Sequence, residues 1–328
     1  MKTITGILVT YALVVPASPA AAQSNLGYQI DRIINSALTL AADSLDELVD
    51  DRAERQQRGD RGRGDRGPEY TEKVEKTVKI GRNGRLELMN YSGDVEVIGG
   101  SGEDAKISAT KVTHATSEAT AKTNLSNMAV EIEERAGGVV ISSQPTRGRS
   151  SGVEVNYVIT VPAGASLDLK TYSGDVIIRS VSGEVRLRSY SGDVVVRDSK
   201  ATDIEIDATS GDISLEQVES DRVRVNTLSG DVVLKGKLSK TGHYELHTTS
   251  GDVQVVTDSS ASFQVEAGTF SGDITSDFPM KLGGSIQTSS FGPGGRGQKR
   301  NSIRGSVGDG GAVLSLQSLS GDILLTKR

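Results

Sequence analysis

The chain has 328 residues, 35% of them hydrophobic but only 4% aromatic, with 38 Gly and neither Cys nor Trp. A disulfide framework is excluded, and any core has to be built from aliphatic side chains. The formal charge of −6 argues against neutralising a phosphate backbone, so nucleic acid is not an expected partner.

Residues 1–22 have the three parts of a secretory signal peptide: Lys2, an apolar stretch from Ile4 to Val15, and the small residues Ala20-Ala21-Ala22 before Gln23. That stretch is too short to span a bilayer, and no later run approaches the roughly 18 apolar residues of a membrane helix. The mature chain is therefore expected to be exported, periplasmic or extracellular, with no integral membrane segment. Over 23–55, Leu26, Ile30, Ile33, Ile34, Leu38, Leu45 and Leu48 recur at helical spacing, which predicts an amphipathic helix. Residues 56–69 read as a Gly/Arg/Asp linker with nothing to bury. It spells Arg-Gly-Asp twice, as a tract of so few residue types readily does.

Residues 70–165 alternate apolar and polar side chains irregularly, as at Leu86 and Leu88, Val95 and Val97, Val139 and Ile141. A polar stretch from Thr110 to Asn127 suggests inserted loops or a helix. Residues 166–328 form a regular β-repeat region. Ser-Gly-Asp begins at Ser92, Ser173, Ser191, Ser210, Ser229, Ser250, Ser271 and Ser320, and a Glu variant stands in the same series at Ser182. From Ser191 to Ser271 the intervals are 19, 19, 21 and 21 residues, with an alternating pair such as Ile213 and Leu215 after each motif and another such as Ile204 and Ile206 before it. Period-two alternation of largely β-branched residues predicts half-buried strands. The expected fold is all-β: a β-solenoid with two short strands per 19 to 21 residue coil, each strand pairing one coil away. The alternative is an antiparallel β-roll or sandwich.

Within the motif, Gly suits the positive φ of a corner, and Ser and Asp can bond free backbone amides. Stacked coils would align Asp193, Asp212, Asp231, Asp252 and Asp273 on one edge. Such a carboxylate ladder calls for amide hydrogen bonds or for a divalent cation such as calcium; no other cofactor is expected. Aromatics gather just before the motif, at Tyr91, Tyr172, Tyr190 and Phe270, with Thr209, Leu228, Thr249 and Leu319 at matching positions. They either pack the corner or offer a platform to sugar rings. Outward residues such as Arg186, Arg188, Glu205, Asp207 and Arg224 mix both signs and read as solvated faces. Arg296, Lys299, Arg300 and Arg304 form a basic cluster on an expected loop, suited to an anionic envelope polymer.

Catalytic patterns are thin. No phosphate-binding Walker loop occurs, and His243 and His247 on one strand would lie about 13 Å apart, too far to share a metal.

The repeats Ser92–Val95, Ser173–Val176, Ser191–Val194, Ser229–Val232 and Ser250–Val253, with Gly310-Gly311-Ala312-Val313-Leu314 and the closing Ser320-Gly321-Asp322-Ile323, resemble the bacterial "putative adhesin" domain of unknown function. The resemblance spans about Tyr70 to Arg328 and carries no catalytic residues with it. It implies a secreted, non-enzymatic protein of the cell envelope whose partner is an envelope polysaccharide or another envelope protein. The alternatives are an accessory scaffold in an envelope-stress system and a polysaccharide-processing β-helix enzyme.

Overall fold

The computed structural model describes residues 67–146, 152–282 and 301–328. The signal peptide, the amphipathic helix, the linker up to residue 66, and Arg296, Lys299 and Arg300 lie outside the described residues.

The irregular half contains β1 (Glu69–Lys79), β2 (Arg85–Asn90), β3 (Val95–Gly100), β4 (Asp104–His114), α1 (Glu118–Ser126), β5 (Met128–Arg135), β6 (Gly138–Pro145) and β7 (Val153–Pro162). The repeats follow as strand pairs, one pair per coil. They are β8 (Ser166–Ser173) with β9 (Val176–Arg179), β10 (Val185–Ser191) with β11 (Val194–Arg197), and β12 (Asp203–Ser210) with β13 (Ile213–Glu216). Next come β14 (Arg222–Ser229) with β15 (Val232–Lys235), and β16 (His243–Ser250) with β17 (Val253–Thr257). The last segments are β18 (Phe263–Ser271), β19 (Ile274–Ser276), β20 (Lys281–Leu282), β21 (Asn301–Val307), β22 (Ala312–Ser320) and β23 (Ile323–Lys327).

The first strand of each coil joins a 12-stranded sheet and the second an 11-stranded sheet, and from β8 to β17 every neighbour is parallel. This is the solenoid arrangement; antiparallel pairing is confined to the two ends. The alternating residues face inward: Ile204, Ile206, Ile213 and Leu215 of one coil are all buried. Burying four such side chains contributes roughly 6–12 kcal/mol, whereas ordering a coil's backbone costs about 1–2 kcal/mol per residue. A coil therefore holds only against its neighbours. One hydrophobic cluster accordingly runs from Val78 to Leu325 through both the irregular and the regular regions.

The outward charges pair between coils, as in Arg186–Glu205 at 3.2 Å, Arg197–Glu216 at 3.0 Å and Arg224–Glu245 at 2.7 Å. Each exposed pair adds at most about 1 kcal/mol, but every pair favours the same register. Arg304 is not on a loop: it lies in β21, opposite Glu266 of β18, and bonds its carboxylate at 2.6 Å.

Both ends depart from simple stacking. The coil β2–β3 lies between β6–β7 and β8–β9, so the chain steps back over it through residues 163–165, where the Ala163 amide donates to the Gly100 carbonyl. At the other end, β22–β23 lies between β16–β17 and β18–β19. The crossing there passes through Gly308, Gly310 and Gly311, all at positive φ. α1 falls within the polar stretch 110–127; its N-cap is Ser117, and it buries Ala121 and Leu125.

Candidate functional site

Back-stepping at the ends closes the gaps in the motif series. In space the motifs run Ser92, Ser173, Ser191, Ser210, Ser229, Ser250, Ser320, Ser271, one per coil. Ser182 is not among them: it follows β9 at the opposite edge, where its hydroxyl donates to the Ala163 carbonyl. That edge turns instead through Ser180, Asp198 and Gln217, each at positive φ.

The motif carboxylates form a hydrogen-bonded ladder. The Asp193 amide donates to Asp175 Oδ1 and the Asp212 amide to Asp193 Oδ1, both at 2.9 Å. The Asp231 amide reaches Asp212 Oδ1 at 2.8 Å, and the Asp252 amide reaches Asp231 Oδ1 at 3.2 Å. Asp252 and Asp273 are not adjacent rungs, because Asp322 is inserted between them: its amide donates to Asp252 Oδ1, and its own Oδ1 accepts from the Asp273 amide. Of the two roles that the sequence leaves open for these residues, the geometry displays amide bonding. Among the described residues no three His, Cys, Asp or Glu side chains are grouped as a metal would require.

Asp212→Ala removes one rung and is expected to cost about 1–2 kcal/mol in chemical denaturation, with Asp212→Asn, which keeps an amide-accepting oxygen, costing less. Equal losses for the two variants would mean that acceptance of the amide is not what the carboxylate contributes. Millimolar calcium is expected to leave the melting temperature unchanged; a rise reversed by a chelator would establish a bound cation instead.

The residues just before the motif point outward from the 12-stranded sheet, because they alternate with buried positions such as Thr171 and Ser189. Tyr91, Tyr172 and Tyr190 therefore occupy one column on three successive coils. Their rings stack with centroids 5.3 Å and 4.8 Å apart and planes within 2° of parallel. That spacing is the coil repeat itself and falls in the offset-stacked range. The rings remain 37%, 51% and 53% exposed, so they do not serve as corner packing. Phe270 does not join them: Thr209, Leu228, Thr249 and Leu319 separate it from Tyr190 along the column.

A groove of about 550 Å³ follows this column from Tyr91 to Leu228. Its second wall is the outward column two residues earlier, comprising Met89, Lys170, Arg188 and Asp207. The sequence pattern assigns Arg188 and Asp207 to a solvated face, and the register brings them beside the tyrosines. Strand alternation alone contains this signal, since residues two apart share a face. Beneath the column lies a buried polar row. Thr269 Oγ1 donates to the Gly321 carbonyl at 2.8 Å, whereas the hydroxyls of Thr171 and Ser189, which border the groove, have no hydrogen-bond partner. At the end of the row, Asn90 Nδ2 donates to the carbonyls of Gly93 and Val155, and Ser143 donates to Asn90 Oδ1.

Titration is shifted mainly at ion pairs and buried phenols. Hydrogen bonds from Lys122, Arg224 and Arg328 hold Glu118, Glu245 and Asp258 below the ordinary carboxylate range. Burial pushes the Tyr157 phenol up to about 12, and raises that of Tyr244, whose hydroxyl donates to the Ser220 carbonyl and accepts from the Ser239 amide.

A family model described as Toastrack DUF4097 matches residues 83–326. Among solved structures, the chain is similar to one described as a "putative cell adhesion protein" from Clostridium sporogenes ATCC 15579. Identity is 11%, coverage is 79% of this chain and 100% of that one, and the TM-score is 0.36. No curated protein gives a match.

Proposed function

The chain belongs to the Toastrack DUF4097 family, and from that premise together with the tyrosine column we propose that it is a non-enzymatic protein of the cell envelope that binds envelope polysaccharide. The observation that carries this reading is the half-exposed stack of Tyr91, Tyr172 and Tyr190 along a groove. Three aromatic rings left in water cost solvation unless something covers them, and sugar rings offer an apolar face bordered by hydroxyls. Residues 1–22, read as a signal peptide, supply the route to the envelope.

The rival reading, a polysaccharide-processing enzyme, needs one carboxyl held protonated in an apolar niche and a second at a set distance from it. The carboxylates of the motif instead repeat from coil to coil and are engaged with backbone amides.

The test is co-sedimentation of the purified chain with isolated peptidoglycan and with surface polysaccharide, at low and high salt. Saturable binding that survives salt is expected with one of the two polymers. The Tyr172→Ala/Tyr190→Ala variant is expected to lose at least tenfold in affinity while keeping its melting temperature. Absence of binding to either polymer would sink this reading and favour a scaffold that holds another envelope protein.

A further inference from the structure

The tyrosine stack ends abruptly. Beyond Tyr190 the next residue in the column is Thr209, abreast of it on the neighbouring coil, and the one after that is Leu228. Tyr190 and Leu228 are therefore two coil steps apart, about 9.6 Å, with only the small Thr209 side chain between them. A ring in contact with apolar atoms on both faces needs roughly 7–8 Å. All three residues line the groove. The ring face of Tyr190 that is not stacked on Tyr172 looks across this gap.

Polar groups stand beside the gap in a fixed arrangement. Asp207 precedes Thr209 by two residues and shares its face; its side chain is mostly buried, with Oδ1 accepting from Asn226 Nδ2 at 2.9 Å. Its Oδ2 lies 3.8 Å from Arg188 Nε, an ion-pair separation longer than a hydrogen bond. The carboxylate, the guanidinium and the Thr209 hydroxyl thus supply acceptors and donors along one side of a slot whose two faces are apolar. The unpartnered Ser189 hydroxyl borders the same groove.

We propose that the gap between Tyr190 and Leu228 is a binding slot for a single pyranose ring, which continues the tyrosine stack as its fourth member. One apolar face of the sugar rests on Tyr190 and the other faces Leu228. Asp207 accepts from a pair of adjacent hydroxyls, and Arg188 and Thr209 donate to ring substituents. This assignment rests on the polysaccharide reading above and adds orientation to it: the ring lies parallel to the tyrosine rings, so the glycan crosses the corner of the solenoid instead of running along it. A purely aromatic ligand would use the two faces and leave the Asp207–Arg188 side idle.

The test titrates the full chain separately with methyl glycosides of glucose, mannose, galactose and N-acetylglucosamine, following the backbone amide resonances of Asp207 and Thr209 and the tyrosine emission, which no Trp masks. At least one glycoside is expected to bind saturably in the millimolar range. Thr209→Tyr, which fills the slot from a half-buried outward position, is expected to weaken binding at least tenfold. Asp207→Asn, which keeps an oxygen for Asn226, is expected to weaken it at least fivefold. Arg179→Ala, on the opposite sheet, is expected to change nothing.

If no glycoside binds, or if Thr209→Tyr binds as the parent does, the slot is overturned. Should the double tyrosine variant still lose the polymer in sedimentation, the broader reading stands without the slot. Conversely, glycoside binding abolished by Thr209→Tyr in a chain that sediments with neither polymer would uphold the slot and overturn polymer binding.

Discussion

Gly211→Ala is expected to lower the unfolding free energy by roughly 4 kcal/mol, the sum of two separate costs. Gly211 has φ of 119°, where a side chain strains the backbone by about 1–3 kcal/mol. A Cβ at this position would also overlap the carbonyl oxygen of Gly192 on the preceding coil. Relieving that overlap has to move backbone that is itself locked to the next coil, for about 1–3 kcal/mol more. At about 2–4 °C per kcal/mol for a domain of this size, the melting temperature should fall by roughly 8–16 °C. Gly137 isolates the first cost, because it has φ of 74° and nothing within 4 Å of a Cβ. Gly137→Ala should therefore fall only about 1–2 kcal/mol. Equal losses at the two sites would show that close approach between coils is not what reserves the motif position for glycine.

Deleting residues 309–328 is expected to do far more than shorten the stack by one coil. In a simple solenoid each unit touches only its neighbours, so loss of the last unit leaves the rest nearly intact. Here the deleted β22–β23 lies inside the stack, between β16–β17 and β18–β19. Without it β18 keeps only antiparallel β21 as a partner, and the apolar residues that met Leu314, Leu316, Ile323 and Leu325 face an open gap. Limited proteolysis with mass mapping should find the segment from about residue 258 onward cut rapidly in the shortened chain, and β8 to β15 still resistant. Protection of β18 in the shortened chain would mean that it can dock directly on β16 and that the inserted coil is dispensable.

The tyrosine column shows how far a single sequence reaches toward the site. Its members are visible as the residue before each motif, and strand alternation places them on a common face. Whether they are neighbours is another matter: Tyr91 and Tyr172 are 81 residues apart in the chain and 5.3 Å apart in space, because β4 to β7 are stacked on the far side of β2–β3 before β8 returns to its near side. Phe270 obeys the same local rule as the tyrosines, yet ends at the far end of the column. Arg188 and Asp207 carried no mark in the sequence beyond their charge. They became candidates once the parallel register set them beside Tyr190.

What the sequence by itself determined is everything that depends on period: strands from alternation, corners from Ser-Gly-Asp, and coils from the spacing of 19 to 21 residues. Those signals are local, because burial of one face and tolerance of positive φ are decided within a few residues. The tertiary structure alone decided the order of coils at the two ends, where β2–β3 and β22–β23 are inserted between coils that are consecutive or near-consecutive in sequence. Inward faces of Val, Ile and Leu are nearly interchangeable from coil to coil, so apolar pattern cannot say which coil lies next to which. That choice falls to the crossings at residues 163–165 and Gly308–Gly311, and to the fit of Asp322 between Asp252 and Asp273.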